Sequence, residues 1–211
     1  GAPPRAGRAR RAAAPNTSAG LKPASFDLKG AKIRFATARR HLLLRNVAGK
    51  LAGSDPKLAA ETIVIGGHYD HIGRFGNQVA EKNLGQIHNG ADDNASGTTG
   101  LLEVAYRISQ RKTKSRRRIV FIAFSAEERG LLGSAHYVRE PRFPLKDTVA
   151  MVNMDMVGRM ADNKVIITGT GTSPAWNPLI DRLNENYKFE VTRQPEGTGP
   201  SDHPVSYTHL R

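Results

Sequence analysis

Five short stretches of this chain set histidine or carboxylate directly behind an apolar run or a glycine-rich turn. His68 and Asp70 follow Ile63-Val64-Ile65 and two glycines. Asp92 and Asp93 sit in NGADDNASG, residues 89–97, and Glu127-Glu128 come just after the apolar run IVFIAF. Asp155 follows the run VAMVN, and His203 closes a Ser-Asp-His triplet in a Gly- and Pro-rich segment. Nitrogen and oxygen donors of these types suit zinc. The chain has no cysteine, so a metal here must be held by His, Asp and Glu. Two histidines with three or four carboxylates exceed what one zinc needs and match two zincs sharing a carboxylate. Three carboxylates also nearly offset the charge of two divalent ions, whereas without metal they would repel and raise one another's pKa.

The elements that must position these groups alternate. Ile63-Val64-Ile65 reads as a core strand stopped by Gly66-Gly67, which places His68 and Asp70 just past its carboxyl end. In open α/β sheets that edge is where ligands bind. Residues 31–36 read as an edge strand and 42–51 as another. Residues 53–56 form a turn, and 73–88 a loop over the site. Asn94 or Ser96 caps a helix whose apolar face is Leu101, Leu102, Val104, Ala105 and Ile108. Residues 119–124 suit a central strand buried on both faces, and Leu131, Leu132, Ala135 and Val138 follow at helical spacing. Residues 149–153 read as a second buried strand and 165–168 as a further one; a helix opens at Pro174, and 189–192 form a short strand. Strands alternating with helices predict an α/β fold, a three-layer sandwich with a mostly parallel mixed sheet flanked by helices.

The 211 residues suffice for one such domain. The net charge of +13 is unevenly placed: residues 1–50 carry +11, with Asp27 their one acid. Residues 1–25, rich in Ala, Pro, Gly and Arg, read as a disordered or linker arm, and 26–204 as the domain. A second basic cluster runs from Arg107 to Arg118. Neither cluster interleaves aromatics, as single-strand stacking would need, so a solvated arm and loop are expected and no specific nucleic-acid partner. No apolar run approaches the roughly 18 residues of a membrane span. Neither His-Glu-x-x-His nor Gly-x-Ser-x-Gly occurs.

GGHYDH, NGADDNASG, FSAEERGLLGS, NMDMVGR and SDH, in this order, resemble the co-catalytic di-zinc aminopeptidase family that includes bacterial leucyl aminopeptidases. The resemblance implies that His68 and Asp155 hold one zinc, Glu128 and His203 the other, and that Asp92 bridges them. It implies Glu127 as the general base on a metal-activated water, with Asp70 orienting His68 through its other ring nitrogen. Asp93 is expected beside the ligands rather than among them, with a cis peptide between Asp92 and Asp93. His71, His88, His136 and His209 match no ligand position of the family. The implied activity is hydrolysis of the N-terminal peptide bond of peptides with a free N-terminus, in an extracytoplasmic setting. Alternatives on the same fold are another amide hydrolase, a glutaminyl cyclase or a non-catalytic receptor-like domain. Family members continue past the final histidine, and residues 205–211 resemble a non-native tail more than they resemble the family, so a C-terminal truncation near Pro204 is expected.

Overall fold

Alternate residues of one strand, β5 (Arg118–Phe124), face two separate hydrophobic layers. Val120, Ile122 and Phe124 pack on one side with Val64 and Tyr137. Ile119 and Phe121 pack on the other with Leu101, and Val104, Ala105 and Ile108 close that layer. The period-2 alternation of a strand accounts for this directly. Leu101 belongs to α1 (Gly97–Ser109) and Tyr137 to α2 (Leu132–Arg139), so helices cover both faces of the sheet.

The structure, a computed structural model, describes residues 24–28, 30–35, 42–74 and 85–205. The chain divides into two units between Leu43 and Leu44. In the first, β1 (Ala24–Leu28) pairs antiparallel with β2 (Ala31–Phe35). Ala24 and Ser25 therefore lie in a strand, while residues 1–23 of the expected arm fall outside the described residues. Residues 206–211 of the expected tail, with His209, and residues 75–84 of the expected loop fall outside as well.

In the second unit a four-stranded sheet has the order β3-β5-β4-β6, with β3 (Val47–Leu51), β4 (Thr62–His68) and β6 (Thr148–Asn153). β4 is parallel to both β5 and β6, and β3 is antiparallel to β5. The sheet is thus mixed and mostly parallel, with helices on both faces, as expected. Its register pairs His68 with Phe124 and Gly66 with Asn153. Three carboxyl ends consequently open side by side on one rim. β7 (Lys164–Thr168) and β8 (Glu190–Gln194) form a separate parallel pair around α3 (Trp176–Tyr187).

Three expectations change. Gly66-Gly67 do not stop β4, which runs on through His68. A Cβ at Gly66 would lie 2.7 Å from the Phe124 ring, so the glycines mark close packing rather than a turn. Residues 42–46 do not join the ladder of β3; Leu42 and Leu43 are exposed, and Asn46 spends its side chain on Gly133 and Ser125. β6 is an edge strand with Val149 and Val152 half exposed, because among the described residues nothing pairs with its far side. In the basic cluster, Arg116 pairs with Asp55 and Arg117 with Glu61, and the Arg118 guanidinium lies 4.0 Å from the centre of the Phe143 ring. No helix among the described residues is long and apolar enough to cross a membrane.

Candidate metal centre

His68 is the last residue of β4 and is buried. Its Nδ1 lies 3.1 Å from the backbone carbonyl of Asp70. That contact satisfies Nδ1–H and leaves Nε2 as the free donor atom. Nε2 faces Asp93 Oδ1 at 3.2 Å, Asp155 Oδ1 at 3.4 Å and Glu127 Oε2 at 3.9 Å. Asp155 reaches this point from the loop after β6, and Asp93 from the turn Ala91–Ser96 that leads into α1.

A second cluster lies beside the first. Glu128 Oε1 is 2.7 Å from His71 Nδ1, which lies 3.7 Å from Asp93 Oδ2. His68, Asp93 and Asp155 form one group whose donor atoms could share a cation, and His71, Asp93 and Glu128 form another. Asp93 turns one oxygen to each group.

The structure thus exchanges the roles expected of the paired aspartates. Asp92, expected as the bridge, points away: its Oδ1 accepts the Gly158 N–H at 2.7 Å and its Oδ2 the Arg159 Nε–H at 2.6 Å. The bond with Arg159 holds its carboxyl below the usual range. Asp93 takes the shared position. The cis peptide falls one bond later than expected, between Asp93 and Asn94. Neighbouring side chains in an irregular turn diverge, and Asp93 and Asn94 both have non-helical dihedrals.

Asp70 also differs from expectation. Its backbone carbonyl, not its carboxylate, is the near partner of His68 Nδ1, the carboxylate being 3.8 Å away. The carboxylate instead accepts the backbone N–H groups of Glu127 and Glu128, at 3.1 and 3.4 Å. One residue therefore ties the histidine at the end of β4 to the glutamate pair after β5. Asn46 supports the same turn, accepting the Ser125 N–H and donating to the Gly133 carbonyl. His203 joins neither group, yet its Nε2 is buried without a hydrogen-bond partner.

Charge is concentrated here. Burial alone would lower the pKa of His68, but the hydrogen bond and charge of Asp155, with Glu127 and the Asp70 carbonyl, push it up to about 9. Burial lifts Glu127 to about 7, and the negative charges of Asp202, Asp155 and Glu128 add to the rise. Burial also lifts the fully buried Asp202 to about 6. For Asp155 burial is outweighed by hydrogen bonds to His68 and Ser201, and its pKa is lowered. For His203 burial dominates and lowers the ring's pKa.

These residues fit a divalent cation. Glu128 Oε1, His71 Nδ1 and His203 Nε2 are all buried without a hydrogen-bond partner; His71 and Glu128 are close but poorly aligned for one. Unpaired buried carboxylates are costly unless a cation or proton meets them. Ligands bonded at 2.0–2.2 Å to a tetrahedral ion stand about 3.3–3.6 Å apart, a range that holds the 3.4 Å of the first group and lies next to its 3.2 Å. The 2.7 Å between His71 and Glu128 is too short for that.

Four contributors do not stand out in the sequence. His71 matches no expected ligand position, and Asp202 shows only as the middle of the Ser-Asp-His triplet. Asn46 and Arg159 have partners 79–87 and 67 residues away, a distance no local pattern reveals.

Fold and site together define an α/β domain whose rim, at the carboxyl ends of its parallel strands, gathers two sets of donors that could each hold a metal ion. Residues 46–208 match Peptidase family M28, and the chain belongs to that family. It is 49% identical over 70 residues to Aminopeptidase YwaD of Bacillus subtilis, covering 33% of this chain and 15% of that protein. The structure of BSAP, a zinc aminopeptidase from Bacillus subtilis, is similar at a TM-score of 0.58 and 29% identity, covering 78% of this chain and 37% of that one. A glutaminyl cyclase from Porphyromonas gingivalis, at a TM-score of 0.62 and 19% identity, shares the fold; the match covers 90% of this chain and 66% of that one. The chain thus spans well under half the length of the Bacillus subtilis relative and of the Bacillus subtilis structure it matches.

Proposed function

We propose that this chain carries the metal centre of a zinc-dependent aminopeptidase that hydrolyses the N-terminal peptide bond of peptides with a free N-terminus. The observation that carries the reading is Asp93, which offers one oxygen to each of two donor groups beside Glu127. One zinc would be held by His68, Asp93 and Asp155, and a second by Asp93, Glu128 and an imidazole. We assign that imidazole to His203, whose buried Nε2 lacks a partner, because His71 stands too close to Glu128 for an ion between them. When bound, the zinc pair would supply Lewis acidity, polarising the scissile carbonyl and acidifying water.

The remaining chemistry belongs to the chain. Glu127 accepts a proton from the attacking water at a carboxylate oxygen and returns it to the leaving amine. Asp70 fixes the aim of Glu127 by holding its backbone N–H. The carboxylate of Asp93, turned to two donor groups, favours this reading over a single-metal enzyme on the same fold.

The test is metal analysis of the chain together with aminoacyl-nitroanilide hydrolysis by the chain and by Glu127→Gln. The expected result is about two zincs per chain in both proteins, with turnover lowered about 100- to 10,000-fold by the substitution. Turnover that survives Glu127→Gln removes Glu127 from the role of base.

A further inference from the structure

The residues flanking one proposed ligand hold the residues flanking another. Asp93 lies between Asp92 and Asn94, and Asp155 lies between Met154 and Met156. Asn94 donates from Nδ2 to the Met154 carbonyl at 2.9 Å, and its Oδ1 accepts the Met156 N–H at 3.2 Å. Ser96 Oγ accepts the Val157 N–H at 3.0 Å and donates to the Asp92 carbonyl at 2.6 Å. Asp92 accepts the Gly158 N–H with one oxygen and the Arg159 Nε–H with the other. Successive residues of the segment after Asp155 are therefore fastened to the turn that carries Asp93.

We propose that the Asp92–Arg159 ion pair is a positioning clasp that holds Asp93 against Asp155 and so sets the metal affinity of the site. The proposal rests on the metal-centre reading above. Asp92 is mostly covered and Arg159 is largely exposed, at 13% and 72%. An exposed ion pair contributes little to global stability. A metal site, in contrast, is sensitive to ligand shifts of about 0.5 Å, and outer partners of ligands typically change affinity 10- to 100-fold. The clasp therefore has a signature that a general structural role lacks: metal affinity falls while the stability of the metal-free chain stays nearly the same. The guanidinium offers Nε–H in a fixed plane, which a lysine ammonium reproduces only in part.

The experiment is competition of the chain with a chromophoric chelator for zinc, alongside the visible spectrum of the cobalt-substituted chain. Arg159→Ala, Arg159→Lys, Asp92→Asn and the Asp92→Asn/Arg159→Ala double variant are compared, with thermal melts of each metal-free protein. Arg159→Ala is expected to weaken zinc binding about 10- to 100-fold and to shift the cobalt bands. Arg159→Lys should recover part of both, and the double variant should bind no more weakly than Asp92→Asn alone, because the pair acts as a unit. Wild-type zinc affinity with an unchanged cobalt spectrum in Arg159→Ala overturns the clasp. So does an additive double variant whose loss of affinity follows a loss of metal-free melting temperature. If the unsubstituted chain takes up neither metal, the metal-centre reading itself fails, which is a separate result.

Discussion

Removing metal and raising the pH should destabilise this chain through one buried ring. In the metal-free protein His68 titrates at about 9, against 6.5 for an unperturbed imidazole. Below pH 6.5 the ring is protonated in the folded and unfolded chain alike, and its attraction to Asp155 and Glu127 is felt in full. Between 6.5 and 9 the unfolded chain releases that proton first, so the folded state binds more protons and stability declines as pH rises. Above 9 the folded ring is neutral and the contribution is gone. A shift of this size corresponds to on the order of 3 kcal/mol. No discount for solvent applies, because His68 is 1% exposed. Glu127 and Asp202, raised to about 7 and about 6, also favour lower pH, but their effect is complete by about pH 7.5. Urea unfolding of the chelator-treated chain from pH 7.5 to 9.5, beside His68→Asn, therefore isolates the ring. Over this window the unsubstituted chain should lose about 2 of the 3 kcal/mol, the rest having gone between pH 6.5 and 7.5, and the variant should show a much flatter profile. The zinc-loaded chain should show none of this decline, since a ligating imidazole is already neutral. Equal pH slopes for the metal-free chain and His68→Asn would refute the reasoning.

Asp93→Asn should reduce bound zinc at both sites at once, whereas Asp92→Asn should leave about two zincs per chain at saturating metal; emission spectrometry of protein equilibrated against saturating zinc measures both. His203→Asn should halve the zinc content and His71→Asn should leave it intact, and the opposite pattern moves the second imidazole to His71. Gly97→Ala should destabilise the chain by about 1–3 kcal/mol, read from its melting temperature. A Cβ there would collide with Asn94 Oδ1 and the Met154 carbonyl oxygen, both fixed in the network around Asp155.

How much of this was legible in the sequence depends on the range of the cause. The run IVFIAF announces a central strand because both its faces are buried, and the structure gives it a layer on each side. The helix of α1 shows for a related reason, since Leu101, Val104, Ala105 and Ile108 all meet that sheet. Donor types behind strand ends are visible because parallel strands in register must bring those ends to one rim. Local pattern stops short where the cause is a neighbour distant in sequence. An apolar run does not reveal whether a further strand pairs with it, so β6 reads as buried and lies at an edge. Two glycines read as a stop, and only the Phe124 ring against Gly66 and the Met154 carbonyl against Gly67 show them to be a packing surface.

The paired aspartates show the limit most clearly. Adjacent carboxylates in an irregular turn are equivalent in a sequence, and a single peptide separates the shared position from the surface. What distinguishes them is which long-range partner claims which side chain. Arg159 and the Gly158 N–H claim Asp92, and that leaves Asp93 to face His68 and His71. A motif can therefore supply the right donors and still misassign one by a residue. The aim of a ligand is set by groups outside its own stretch, such as Asn46 beneath the glutamate pair and Arg159, from the stretch around Asp155, beside Asp92. The same logic makes these supporting residues, rather than the donors alone, the places where substitutions should tune metal affinity without changing the chemistry.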